Sequence, residues 1–134
     1  DLHASLAPSE MCIRDRKDGK ALQHKGHKLS LTNACNDHDG KDMRFVLWWQ
    51  GKNPKDNAFY ISTADKHDRK YIASSLELTT KEKAAQFSIA DLGNGKGHVI
   101  TEIDSGKQLS VEKDGCVALT KNASDAFKVF SVTF

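Results

Sequence analysis

Three times in 134 residues the chain runs through one order: a short apolar strand, a tight hairpin, a polar loop and a strand built on phenylalanine. The hairpin is clearest in DSGKQLSVEKDGCVALTKN, residues 104–122. There Leu109 and Val111 alternate with polar residues, Asp114-Gly115 supplies a tight turn, and Val117 and Leu119 alternate again. GKALQHKGHKLSL repeats the order, with Leu22 before a Lys25-Gly26 turn and Leu29 and Leu31 after it. RKYIASSLEL echoes it with Ile72, a Ser74-Ser75 turn, then Leu76 and Leu78. The segments MCI, FYI and HVI precede the three hairpins, and RFVLW, QFSIA and VFSVTF follow them.

The spacing supports a repeat. Phe45 to Phe87 is 42 residues, Phe87 to Phe130 is 43, and Leu22 to Leu109 is 87, or two such units. The middle hairpin is displaced, since Leu22 to Ile72 is 50 and Ile72 to Leu109 is 37; the longer loops TNACNDHDGKD and QGKNPKDN of the first copy account for this. No helical period competes with the alternation. Three copies of about four short strands, over residues 11–50, 58–92 and 97–134, bury their apolar faces only by packing against one another. The expected shared core is Leu22, Leu29, Leu31, Phe45, Ile61, Ile72, Leu78, Phe87, Ile89, Ile100, Leu109, Val117, Leu119 and Phe130. Each such side chain contributes roughly 1.5–3 kcal/mol on burial.

Over nearly its full length this order resembles the β-trefoil superfamily, which implies an all-β fold of three repeats of about 42 residues with four short strands each. GKQLSVEKDGCVAL followed by FSV is most similar to the fascin-like branch, whose repeats run Gly-Lys-x-Leu-Ser, an acidic-Gly turn, Val and a Phe strand. The first copy keeps Gly19, Lys20 and Leu22, and the second has Arg69 in place of the glycine. DSGKQLSV also resembles the fungal-type ricin-like lectins. Both resemblances imply a non-catalytic binding module: one for glycans, the other for actin or a membrane surface. The ricin-like lectins place an aspartate just after the leucine of each repeat, where this chain has Gln23, Ala73 and Ser110. They also end each repeat in Gln-x-Trp, where this chain has the strands of Phe45, Phe87 and Phe130. A glycan site here has to be built from other residues.

Composition narrows the partners. With 38% hydrophobic and 28% charged residues the chain suffices for one compact domain. No apolar run approaches the roughly 18 residues of a membrane span, and the N-terminus lacks a signal-peptide order, so a soluble protein is expected, cytoplasmic or secreted. The net charge of +2 comes from interspersed Lys and Asp, with none of the basic stripe that nucleic acid requires. Residues 1–16 carry no clear period, and MCIRDR resembles translated sequencing-adapter read-through. Residues 1–10 are therefore set apart from a single domain over 11–134, with Met11 to Ile13 able to pair as an edge strand. The resulting module could equally be one part of a longer chain. Cys12, Cys35 and Cys116 have no CxxC spacing and read as free thiols, with a Cys35–Cys116 bridge as the alternative.

The sequence offers little for catalysis. Ser105-Gly106, Ser124-Asp125 and six histidines supply the residue types of a hydrolase, but no nucleophile elbow and no Gly-x-Ser-x-Gly occur. CNDHDGKD has Asp37, Asp39 and Gly40 in the order of a calcium loop, yet Cys35 and Val46 stand where that loop needs carboxylates. The chain is read as a non-enzyme without a cofactor or a metal site.

Two clusters remain for binding. His24 and His27 flank the expected Lys25-Gly26 turn and so face each other across it, where they could sense pH or take a metal. Alternation from Phe45 sends Leu47 and Trp49 inward and leaves Val46 and Trp48 on the opposite face. An exposed Trp48 beside Gln50, Asn53 and Asn57 makes a sugar-stacking platform, with amide partners for the hydroxyls. Binding residues are expected in loops 33–42, 50–57 and 64–69, where the copies differ. Two function classes follow: a carbohydrate-binding module, and a fascin-like module for an actin-like partner or a membrane surface, pH-sensitive through His24 and His27.

Overall fold

The computed structural model describes residues 10–15, 21–25, 28–32, 44–53, 55–65, 67–94, 96–111, 117–121 and 127–131. These residues form an all-β, antiparallel structure whose described helical content is one 3-10 turn, Lys81–Lys83. Twelve strands are described: β1 (Glu10–Asp15), β2 (Ala21–Lys25), β3 (Lys28–Thr32), β4 (Phe45–Trp49), β5 (Phe59–Thr63), β6 (Tyr71–Ile72), β7 (Leu78–Thr79), β8 (Phe87–Asp91), β9 (His98–Glu102), β10 (Gln108–Val111), β11 (Val117–Thr120) and β12 (Phe127–Ser131). All belong to one hydrogen-bonded sheet.

Pairing runs from β1 to β4, β5, β8, β9 and β12, and then returns to β1. Three hairpins hang from this path. The β2–β3 hairpin joins β1 through Arg14 and Ala21, β6–β7 joins β5 through Ser62 and Tyr71, and β10–β11 joins β9 through Thr101 and Gln108. Both flanks of β1 are occupied, by β12 on one side and β4 on the other. The edge-strand expectation for Met11 to Ile13 is therefore corrected: Ile13 is fully buried at the centre of the pairing.

Register aligns the strand pairs. Phe45 pairs with Thr63, Phe87 with Glu102 and Phe127 with Asp15; two residues on, Leu47 pairs with Ile61, Ile89 with Ile100 and Val129 with Ile13. The third phenylalanine equivalent to Phe45 and Phe87 is thus Phe127 rather than Phe130, which pairs with Cys12. Spacing alone could not separate the two, because a three-residue shift in one loop is invisible to a period of about 42. In the hairpins, Leu22 pairs with Leu31, Ile72 with Leu78 and Leu109 with Leu119.

The buried cluster contains ten of the expected core residues: Leu22, Leu29, Phe45, Ile61, Ile72, Leu78, Phe87, Ile89, Ile100 and Leu109. Val117 and Leu119 pack against it half-buried, and Ile13, Leu47, Phe59, Leu76 and Ala85 complete it. One expected turn differs in register and one is found. Lys25 pairs with Lys28 and His24 with Leu29, so the register does not set His24 opposite His27 across a Lys25-Gly26 turn. The second hairpin turns at Ser74-Ser75 as expected, closed by Leu76 N–H to Ala73 O at 2.8 Å, with Ala73 N–H donating to Glu77 O at 2.9 Å. Leu76 stands there at a φ of 65° while remaining buried, a left-handed conformation that a leucine adopts only when its side chain is held by packing.

Candidate functional site

The segment from β4 to β5 carries the residues expected to bind sugar, but it divides their roles differently. In β4 burial runs through Phe45, Val46 and Leu47, and exposure begins at the strand end. Trp49, expected inside, is 38% exposed, whereas Trp48, the expected platform, is half-buried. Both faces of β4 are covered at its start, so simple alternation fails there. Trp48 donates its indole N–H to Ser62 Oγ at 2.8 Å, pairs in register with Tyr60, and is covered by the Arg69 guanidinium at 4.5 Å from the ring centroid. Tyr60 in turn meets Tyr71 edge-on at 6.2 Å.

The loop after β4 is held by Asp56. Its carboxylate oxygen Oδ2 accepts the backbone N–H groups of Lys52 at 2.8 Å and Asn53 at 3.0 Å, while Asp56 N–H donates to Asn53 O. The bond from Asn53, and then that from Lys52, hold the Asp56 carboxyl below its ordinary value because both favour the charged form. Trp49 donates its indole N–H to Asp56 O at 2.9 Å. A Cβ added to Gly51 would sit 2.6 Å from that indole nitrogen, so only glycine lets the loop close against the ring. Gln50 donates its side-chain amide to Trp48 O at 3.2 Å, and Asn53 is exposed on the loop. Asn57 is committed to the scaffold: its amide donates to Ile89 O and its carbonyl accepts Ile89 N–H, each at 2.8 Å.

Loop 64–69 is organised by Asp65, whose Oδ1 accepts the N–H groups of His67 and Asp68. His27, Cys35, Cys116 and loop 33–42 lie outside the described residues. Among the described residues there is no group of three or more side chains suited to a metal, and no helix is long and apolar enough to cross a membrane.

A second concave site went unread in the sequence. A cavity of about 430 Å³ is lined by Ser74, Ser75 and Leu76 of the second hairpin turn, by Glu102, Ser105 and Lys107, and by β11. Glu102 is only 4% exposed and accepts a hydrogen bond from the Ser105 hydroxyl at 2.5 Å. Its signal was present in the strand HVITE, since alternation from the inward Ile100 puts a carboxylate on the inward face.

No protein-family model matches the chain, and no curated protein matches it in sequence. Solved structures resemble it in fold. A salivary protein from Culex quiquefasciatus of the Cysteine and Tryptophan-Rich (CWRC) family superimposes with a TM-score of 0.68 at 14% identity, covering 98% of this chain and 99% of that one. SeviL, solved with the asialo-GM1 saccharide bound, gives 0.65 at 12% identity over 95% of this chain and 100% of its own. A Caenorhabditis elegans protein of unknown function gives 0.62 at 11% identity over 98% and 99%. At these identities the likeness concerns the fold.

Proposed function

We propose that the chain is a β-trefoil that binds carbohydrate and catalyses no reaction. The trefoil reading is supported by a six-strand pairing path that returns on itself, by three hairpins attached at corresponding points, and by the shared register of Phe45, Phe87 and Phe127. The glycan reading is supported by the likeness to SeviL, whose structure holds a saccharide.

The observation that carries the binding function is the fixed, exposed indole of Trp49, locked by its bond to Asp56 O, with the exposed Gln50 and Asn53 in the same segment. An aromatic face stacks on the C–H face of a pyranose, and amides on its rim meet the hydroxyls. Trp48 and Asn57, on either side of this loop, are tied to the scaffold through Ser62 and Ile89. The test is a glycan-array screen of the full chain beside Trp49→Ala. A glycan hit lost in the variant, with the fold intact by circular dichroism, is the expected result; full retention removes the Trp49 site.

The similarity of GKQLSVEKDGCVAL to the fascin-like branch favours a second reading, a protein-interaction module for an actin-like partner. It predicts co-sedimentation with actin filaments that weakens as salt rises. A blank at both about pH 6 and about pH 7.5, the range over which histidines discharge, removes it.

A further inference from the structure

The cavity at Glu102 holds a carboxylate at a register position where β5 carries a threonine. Thr63 occupies the corresponding place in β5, since Phe45 pairs with Thr63 as Phe87 pairs with Glu102. Thr63 is satisfied locally: its N–H donates to Lys70 O, and its hydroxyl accepts Lys70 N–H at 3.0 Å. Glu102 N–H likewise donates to Lys107 O at 2.8 Å, but the Lys107 N–H goes to Ser105 Oγ at 3.2 Å. Ser105 thus takes over the turn-closing role of the Thr63 hydroxyl and also holds Glu102 Oε1. Among the described residues no donor is bonded to Glu102 Oε2. Among the described residues Oε2 is not one of the sealed, unpartnered polar atoms, so it opens on the cavity and can accept from a ligand there, while the fold obtains the same turn at Thr63 without a carboxylate.

Resting on the carbohydrate reading, we propose that this cavity is a second subsite, taking one neutral, pyranose-sized polyhydroxylated unit whose hydroxyls donate to Glu102. The volume of about 430 Å³ falls among small-ligand sites. Glu102 within and Lys107 on the wall disfavour an anion and a cation respectively, whereas a polyol donates to the one and accepts from the other. Ser74, Ser75 and Ser105 add hydroxyl partners, and Leu76, Val117 and Leu119 supply an apolar wall for the C–H face of a sugar ring. Hydrogen bonds from sugar hydroxyls to an ionised acceptor are of the stronger kind.

The test is a titration of the isotope-labelled full chain with glucose, galactose and mannose, followed by amide chemical shifts, with ethanolamine as the cationic control. At least one sugar is expected to shift the amides of Ser74 to Leu76 and of Glu102 to Lys107. Glu102→Gln should weaken that response by about tenfold or more through loss of the charged acceptor. Ser74→Trp, at an exposed turn position, should abolish it by filling the mouth, which keeps the test decisive if Glu102→Gln folds poorly. Sugar shifts confined to residues 50–57 would overturn the subsite and leave the Trp49 reading standing. No shift with any sugar would overturn both. Undiminished affinity in folded Glu102→Gln, or ethanolamine binding in place of sugars, would overturn the role given to the carboxylate.

Discussion

The guanidinium carbon of Arg69 lies 4.5 Å from the centroid of the Trp48 ring, so a residue of one loop closes over the strand that carries the tryptophan pair. Among the described residues Arg69 Nε has no hydrogen-bond partner, which leaves ring and stem contacts as its main tie. Arg69→Ala should therefore lower stability by about 1 kcal/mol and shift Trp48 emission to the red as water reaches the ring. Arg69→Met keeps the stem and removes the unpartnered donor. It should cost less than the alanine and leave the emission nearly unmoved, as denaturant titration followed by fluorescence would show.

Gly51 controls the Trp49 loop through space. Any side chain there would meet the Asp56 Cβ and the Trp49 indole, both parts of the loop's hydrogen-bonded frame. Gly51→Ala should destabilise the fold by about 1–3 kcal/mol, as overpacking does, and should displace Trp49 from Asp56 O. The paired readout is thermal unfolding and glycan retention: under the Trp49 reading, both fall together.

Asp56 gives the same loop a pH dependence whose sign is fixed by its two backbone donors. Its folded value lies below the ordinary 3.8, so the contribution is present above that value and is lost as pH falls through the lower, folded one. Loop order, read from the amide signals of Lys52 and Asn53, should hold down to about pH 4 and decay below it. In Asp56→Asn that decay should vanish, because the carboxamide does not titrate. An unchanged profile in the variant would assign the transition to another group.

The sequence carried the strands, the hairpins and most of the core, because alternation and turn chemistry are local. It missed what depends on how distant strands meet. Phe127, not Phe130, holds the register position matching Phe45 and Phe87 because it pairs with Asp15, and nothing in the local pattern reports that. Trp48 is the half-buried tryptophan and Trp49 the exposed one because Arg69 and Ser62 come from other segments to cover the former. His24 and His27 flank the expected Lys25-Gly26 turn in sequence, yet one residue of register puts Leu29 opposite His24. Glu102 was readable as an inward carboxylate, but its meaning required the second hairpin turn to stand across the cavity from it.

Asn57 shows the same dependence on long-range pairing and yields the clearest stability prediction. It reaches 32 residues along the chain to satisfy both backbone groups of Ile89, in the middle of β8, as a neighbouring strand residue would. Asn57→Ala leaves an N–H and a C=O without their partners in a partly buried place, which should cost about 2 kcal/mol. Asn57→Asp should cost more, since a carboxylate oxygen would face Ile89 O where an amide donor now stands. In hydrogen exchange the Ile89 amide should lose protection in both variants while the Ile100 amide keeps its own. If glycan affinity falls no further than the loss of folded protein explains, Asn57 belongs to the scaffold beneath the platform, as its two bonds indicate; a direct loss of affinity at full folding would return it to the sugar.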